Sequence, residues 1–307
     1  MSTLPPWSAI LPMVVYMVLP ALTAAAVMMA AVERIGGPKQ AQAGAALGLM
    51  VGAFVGVWLR DALPLVADGD SPKAFLTVLP NVLTLISGES SWNRLPWVML
   101  TALCLGLLAH LADAHSGDGW LLRGGVAIAI AWVLIPDDLR ERIVWLAPAF
   151  AAVVWAQWVL LDCLGAQPAS FSVALSVILS LLAAGVVLIH AGTARLMDAT
   201  VVQACAFTGV LLVGCCRRVE SRGALPALAI SLPGLLLMGQ LTQEEEKMHW
   251  AAFALPACAP FLLVATMPVA HWPKLRLQLV RLLLVLIPLA VALYLAHEAG
   301  PLDFGEE

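Results

Sequence analysis

Residues 171–190 read FSVALSVILSLLAAGVVLIH, twenty positions in which the only titratable side chain is the closing His190. At 1.5 Å per residue such a run makes a helix of about 30 Å, the thickness of the hydrocarbon core of a bilayer. A strand of a membrane barrel would alternate polar and apolar residues, and this run does not. Inside lipid every backbone N–H and C=O must find a partner within the segment, which leaves the helix.

Runs of the same kind recur on both sides of it. They cover Ser8–Val32, Ala41–Leu59, Leu95–Leu111, Trp120–Ile135 and Ile143–Leu164 upstream, and Ala199–Cys216, Gly223–Leu241, Trp250–Ala270 and Leu277–Ala296 downstream. Over the 307 residues, 62% are hydrophobic and only 12% charged, against roughly 25% charged in soluble domains. A soluble fold could not hide that much apolar surface. The expected fold is therefore all-α: a polytopic membrane helical bundle of about ten transmembrane helices. It forms one domain over 1–297, followed by a short acidic tail at 298–307. The first run has no Lys or Arg before Arg34 and is long for a signal peptide, so it is expected to stay as the first span.

One stretch breaks the pattern. Between Arg60 and Arg94 only Ala74–Ile86 is continuously apolar, and it contains Pro80-Asn81. Thirteen residues suit a re-entrant or interfacial helix better than a crossing, although a crossing would make eleven spans.

Charge supplies an orientation. Arg217, Arg218, Arg222, Lys274, Arg276 and Arg281 fall in one set of alternate loops, against Arg195 and Lys247 in the other. Basic residues stay on the cytoplasmic side, which puts the C-terminus outside, in a membrane of the bacterial inner-membrane type. Trp7, Trp92, Trp97, Trp120, Trp145, Trp250 and Trp272 stand near span ends, where amphipathic rings sit at the headgroups. Thr242 with Glu245 has the spacing of a capping box before the run at Trp250.

The most specific pattern lies in the second run. Gly44, Gly48, Gly52 and Gly56 recur every four residues and make one smooth groove along a helix. Such small-residue faces let helix backbones approach in lipid. The groove is read as a packing face, toward another helix of this chain, a second copy, or another membrane subunit. Ser172, Ser176, Ser180 and Ala184 echo it.

Polar residues at depth are few: Gln157, Asp162, His190 and Gln203. Such groups usually face a cavity or a partner. His110, Asp113 and His115 form an interfacial cluster with the residue types of a metal site, in a stretch that also reads as a polar turn. No cofactor is expected, since no phosphate-binding or dinucleotide motif occurs. Nucleic acid is not an expected partner, because no basic, aromatic-rich stretch appears. The six cysteines all lie in or beside apolar runs, where thiols pack as small hydrophobes. Three function classes remain. A small-solute transporter or permease comes first, for its many spans and proline-broken helices. A non-catalytic scaffold subunit of a membrane complex comes second, and a membrane-embedded enzyme third.

Overall fold

A computed structural model describes residues 14–37, 40–67, 117–135, 144–165, 170–217, 222–243 and 248–299. They are helical, with no strand among the described residues. A π-helical turn, Val14–Val18, leads into α1 (Leu19–Gly36). Next come α2 (Ala41–Ala67), α3 (Gly117–Leu134), α4 (Leu146–Gly165), α5 (Ser170–His190) and α6 (Ala194–Arg217). A 3₁₀ turn at Arg222–Ala224 opens α7 (Leu225–Leu241). The short α8 (Trp250–Cys258) continues as a 3₁₀-helix, Ala259–Thr266, before α9 (Lys274–Glu298).

Five of these stretches are long and apolar enough to cross a membrane: Val14–Gly36, α4, α5, α6 and α9. Four shorter apolar stretches accompany them, Ala41–Val57, Trp120–Leu134, Leu225–Leu241 and Trp250–Thr266. The described residues are thus helical, and their long apolar helices suit a membrane; five of the helices among them have full spanning length. The expected span Leu95–Leu111, the segment 74–86, the cluster His110, Asp113 and His115 and the tail from Gly300 onward lie outside the described residues.

Two sequence expectations change. The run at Trp250–Ala270 is not one α-helix. Pro256 and Pro260 lack the N–H that an i−4 carbonyl needs, and the winding passes to 3₁₀ at Ala259. Nor does Thr242 start α8: its hydroxyl donates back to the Met238 carbonyl at 2.8 Å, closing α7. The N-cap of α8 is His249, whose Nδ1 accepts from the Ala251 N–H at 3.2 Å.

The chain divides into two compact units. The first holds α1, α2 and the part of α6 from Val201 onward; the second holds α3, α4, α5, the first turns of α6, and α7 to α9. In the first unit, α1 turns back into α2 at Gly37, whose positive φ of 74° suits glycine and whose N–H closes on the Glu33 carbonyl at 2.7 Å.

The two helices then run antiparallel in a regular register along the glycine groove. A Cβ built on Gly44 would lie 3.2 Å from the Met29 carbonyl oxygen, on Gly48 2.8 Å from that of Ala25, on Gly52 2.5 Å from that of Ala21, and on Gly56 3.2 Å from that of Met17. Each step of four along α2 meets a step of four back along α1. Val210, Ala206 and Val202 of α6 descend the same groove opposite Gly48, Gly52 and Gly56. Gly209 brings the backbone of α6 against the Leu22 carbonyl of α1. At one end of this three-helix packing Arg217 pairs with Glu33 at 3.6 Å, so α1 and α6 are parallel.

In the second unit α7 is buried on all sides, while α3 and α9 turn large apolar side chains outward, among them Leu121, Ile128, Trp132, Leu279, Leu283 and Ile287. Exposed Trp120, Trp145, Trp250 and Trp272 mark the ends of its helices.

Candidate functional site

A helix interior in lipid is made of apolar contacts, so buried polar side chains stand out. In the second unit two groups of them lie on α3, α4, α5, α7 and α9, while Ser176 on α5 and Asp198 and Thr200 at the start of α6 are buried as well.

The outer level lies where α3 begins and α4 ends. Arg123, almost fully buried, holds the Asp162 carboxylate at 2.7 Å, and its guanidinium stands 6.0 Å from the centre of the Trp158 ring. Trp120 and Trp155 meet edge to face at 5.7 Å on the same pair of helices. A paired, hydrogen-bonded charge is the form in which an ion tolerates burial.

The start of α5 and the end of the 3₁₀-helix enclose a second buried cation, carried by α9. Arg281 is fully buried; its Nε donates to the Thr266 hydroxyl at 3.0 Å and its Nη1 reaches the Ser172 hydroxyl at 3.5 Å. Thr266 Oγ1 in turn donates to the Leu263 carbonyl at 2.7 Å. The last turn of the broken span is thereby tied to α9. The charge count had treated Arg281 as a loop residue, whereas α9 begins at Lys274 and Arg281 lies two turns inside it.

The inner level is neutral. Gln157 on α4, Ser180 on α5 and Ser231 on α7 are buried, and none of their side-chain polar atoms has a hydrogen-bond partner among the described residues. The three helices pack on one another. Their register follows from one contact: Leu188 of α5 sits where a Cβ on Gly239 of α7 would go. Ser180 and Ser231 each stand eight residues before that contact, a step that turns each about 80° away from it around its own helix. Gln157 lies eight residues from the end of α4 and Ser180 ten from the start of α5; in an antiparallel pair these are depths of about 12 and 15 Å from one face. Pro233, inside α7, also leaves the Ala229 carbonyl without its helical donor.

The polar residues singled out from sequence do not form one cluster. Gln157 and Asp162, five residues apart, point about 140° away from each other on α4. His190 closes α5 at its far end, its Nδ1 bonded to the Val186 carbonyl at 2.9 Å. Gln203 is buried on α6 in the first unit. Among the described residues no three His, Cys, Asp or Glu side chains come together to hold a metal. Sequence reasoning missed Arg123, Ser231 and the burial of Arg281. The signal for Arg123 was its place three residues after Trp120 in an apolar run, the mirror of Asp162 near the end of another.

A scan against protein-family models, a search of curated proteins and a search of solved structures each find no match.

Proposed function

We propose that the chain is a small-solute transporter or permease crossing a membrane of the bacterial inner-membrane type ten times. The observation that carries the transport reading is the interrupted span in the second unit. Its 3₁₀ half packs against α4, α5 and α9 and ends on Thr266, held by a fully buried arginine. Discontinuous helices with polar side chains around them are how helical carriers expose binding groups at depth. Neutral polar groups left unsatisfied among apolar helices are a cost that a purely structural bundle would avoid.

The count of ten rests on the ten apolar runs of the sequence. Because α1 and α6 are parallel, an even number of crossings lies between their ends, and the six runs from Ala41 to Cys216 satisfy that parity. The basic loops around Arg217 and Lys274 then face the cytoplasm and Glu307 faces outside. A scaffold subunit docking through Gly44–Gly56 is the weaker reading, since α1 and α6 fill that groove.

The test is flux. The purified chain in proteoliposomes should speed osmotic re-swelling for some members of a panel of small amides, polyols and carboxylates, relative to empty vesicles. Rates equal to those of empty vesicles for every solute would defeat the transport reading.

A further inference from the structure

The two faces of α9 differ. Leu277, Arg281, Val285, Leu289 and Ala292 are buried, whereas Leu275, Leu279, Leu283 and Ile287 are 53–69% exposed. At 100° per residue Arg276 falls within about 20° of both Leu283 and Ile287, so a cation heads the exposed apolar stripe while Arg281 turns inward. Lys274, which opens the helix, and Trp272 in the turn before it are exposed as well.

The charge around this stripe is of one sign. From Lys247 to His297 the chain has no acidic residue. Glu298, at the other end of α9, lies 22 residues and so about 33 Å beyond Arg276. Among the described residues no carboxylate pairs with Lys274 or Arg276. We propose that this face of α9 is a docking surface for an anionic phospholipid, its phosphate held by Lys274 and Arg276 and one acyl chain laid along Leu279, Leu283 and Ile287. The inference needs α9 to span a membrane and is independent of transport.

Dimensions support that occupant. Arg276 to Ile287 is 11 residues, about 16 Å of helix, and one leaflet contributes half of a core of about 30 Å. Trp272 then stands at the headgroup level, where an amphipathic ring is at home. A guanidinium meets a phosphate through paired N–H groups. A zwitterionic lipid brings a phosphate with its own ammonium beside it, so the two cations favour a lipid of net negative charge. A second copy fits less well: a two-fold axis along the membrane normal would bring Lys274 and Arg276 against their own equivalents.

The probes are brominated phosphatidylglycerol and brominated phosphatidylcholine, whose bromines quench a tryptophan they touch. The full chain is reconstituted in mixtures of the two lipids, one of them brominated at a time. The fluorescence lost in Trp272→Phe gives the share that belongs to Trp272. That share should be quenched preferentially by phosphatidylglycerol. Arg276→Gln should lower the preference about fivefold, the worth of one basic side chain near a membrane surface, and adding Lys274→Gln should bring it close to one. Both positions are exposed, so the variants should fold as the parent does. Quenching of the other tryptophans should not change with either substitution.

Equal quenching of Trp272 by the two lipids in the parent, or a preference that survives both substitutions, would overturn the surface. Loss of the preference on adding inorganic phosphate would show a site for a free anion instead. Trp272 shielded from both brominated lipids would show that protein, such as a second copy, covers the face, and would overturn the lipid as its occupant.

Discussion

Gly52→Ala is the sharpest probe of the first unit, because a single methyl group meets three neighbours at once. Its Cβ would lie 2.5 Å from the Ala21 carbonyl oxygen, 2.7 Å from the Ala25 Cβ and 2.9 Å from the Ala206 Cβ. A comfortable carbon–oxygen approach is about 3.3 Å or more, so α1 and α2 must part by close to 1 Å. None of the three obstacles is the flexible end of a side chain, so α1 and α6 must yield as bodies. A gap of that size forfeits about a quarter to a half of each dispersion contact along the groove. Overpacking of this kind costs about 1–3 kcal/mol, and the better helix propensity of alanine returns at most about 1 kcal/mol. A net loss of about 1–2 kcal/mol follows.

The series around it makes the reasoning testable. Gly125 has nothing within 4 Å of its Cβ position, and at Gly44 the nearest atom is 3.2 Å away. Alanine should therefore be neutral or slightly stabilising at Gly125, close to neutral at Gly44, and progressively worse at Gly48 and Gly52. At Gly209, where the Cβ would collide with the Leu22 carbonyl, it should be worst. Unfolding of the purified variants in mixed detergent–SDS micelles gives the free energies. Gly52→Ala as stable as Gly44→Ala would mean that α1 does not sit in the groove.

Two further expectations test other parts of the structure. Arg123 is 4% exposed and Asp162 20%, so Asp162→Asn should cost about 2–4 kcal/mol by stranding a buried cation; Arg123→Leu with Asp162→Leu should cost clearly less, and additive losses in that double-mutant cycle would refute a coupled pair. In a background with the native cysteines replaced, Gln40→Cys and Ser221→Cys should be labelled from the same side of the membrane, the cytoplasmic one, and labelling from opposite sides would break the parity argument for ten spans.

The helices were legible because lipid imposes a rule of length and composition that sequence obeys directly. The run at Phe171–His190 became the helix Ser170–His190, and Ala199–Cys216 became Ala194–Arg217. Lipid imposes no such rule on which helices meet. The glycine spacing marked a groove, but its occupants had no mark of their own: Ala21 and Ala25 are two alanines among many, and Ala206 lies far along the chain. Charge misled in the same way. Arg281 follows a Trp-Pro-Lys turn and so reads as a loop residue, yet it is buried by a threonine 15 residues before it and a serine 109 before it.

The inner polar level shows the same limit in its strongest form. Gln157 was visible as an amide inside an apolar run, since glutamine has no packing role that alanine or leucine would not fill better. Serine carries no such signal, because it is small enough to serve as a packing residue and polar enough to serve as a ligand. Ser180 was accordingly read as part of a small-residue stripe, and Ser231 was not singled out. Their burial is set by neighbours on other helices: α7 is buried along its length, and the contact of Leu188 with Gly239 fixes how α5 and α7 meet, two helices separated by a third in the chain. Sliding α7 by one turn, about 5.4 Å, would leave every helix, every apolar run and every serine in place and would part Leu188 from Gly239. Periodicity within one helix has no information about that displacement. A Cβ on Gly239 would meet the end of the Leu188 side chain, which can give way where a backbone cannot. Gly239→Ala should therefore cost about 1–3 kcal/mol by overpacking, and combined with Leu188→Val it should cost less than the two losses added, read by unfolding in detergent–SDS micelles; losses that simply add would show that α5 and α7 do not meet at this contact.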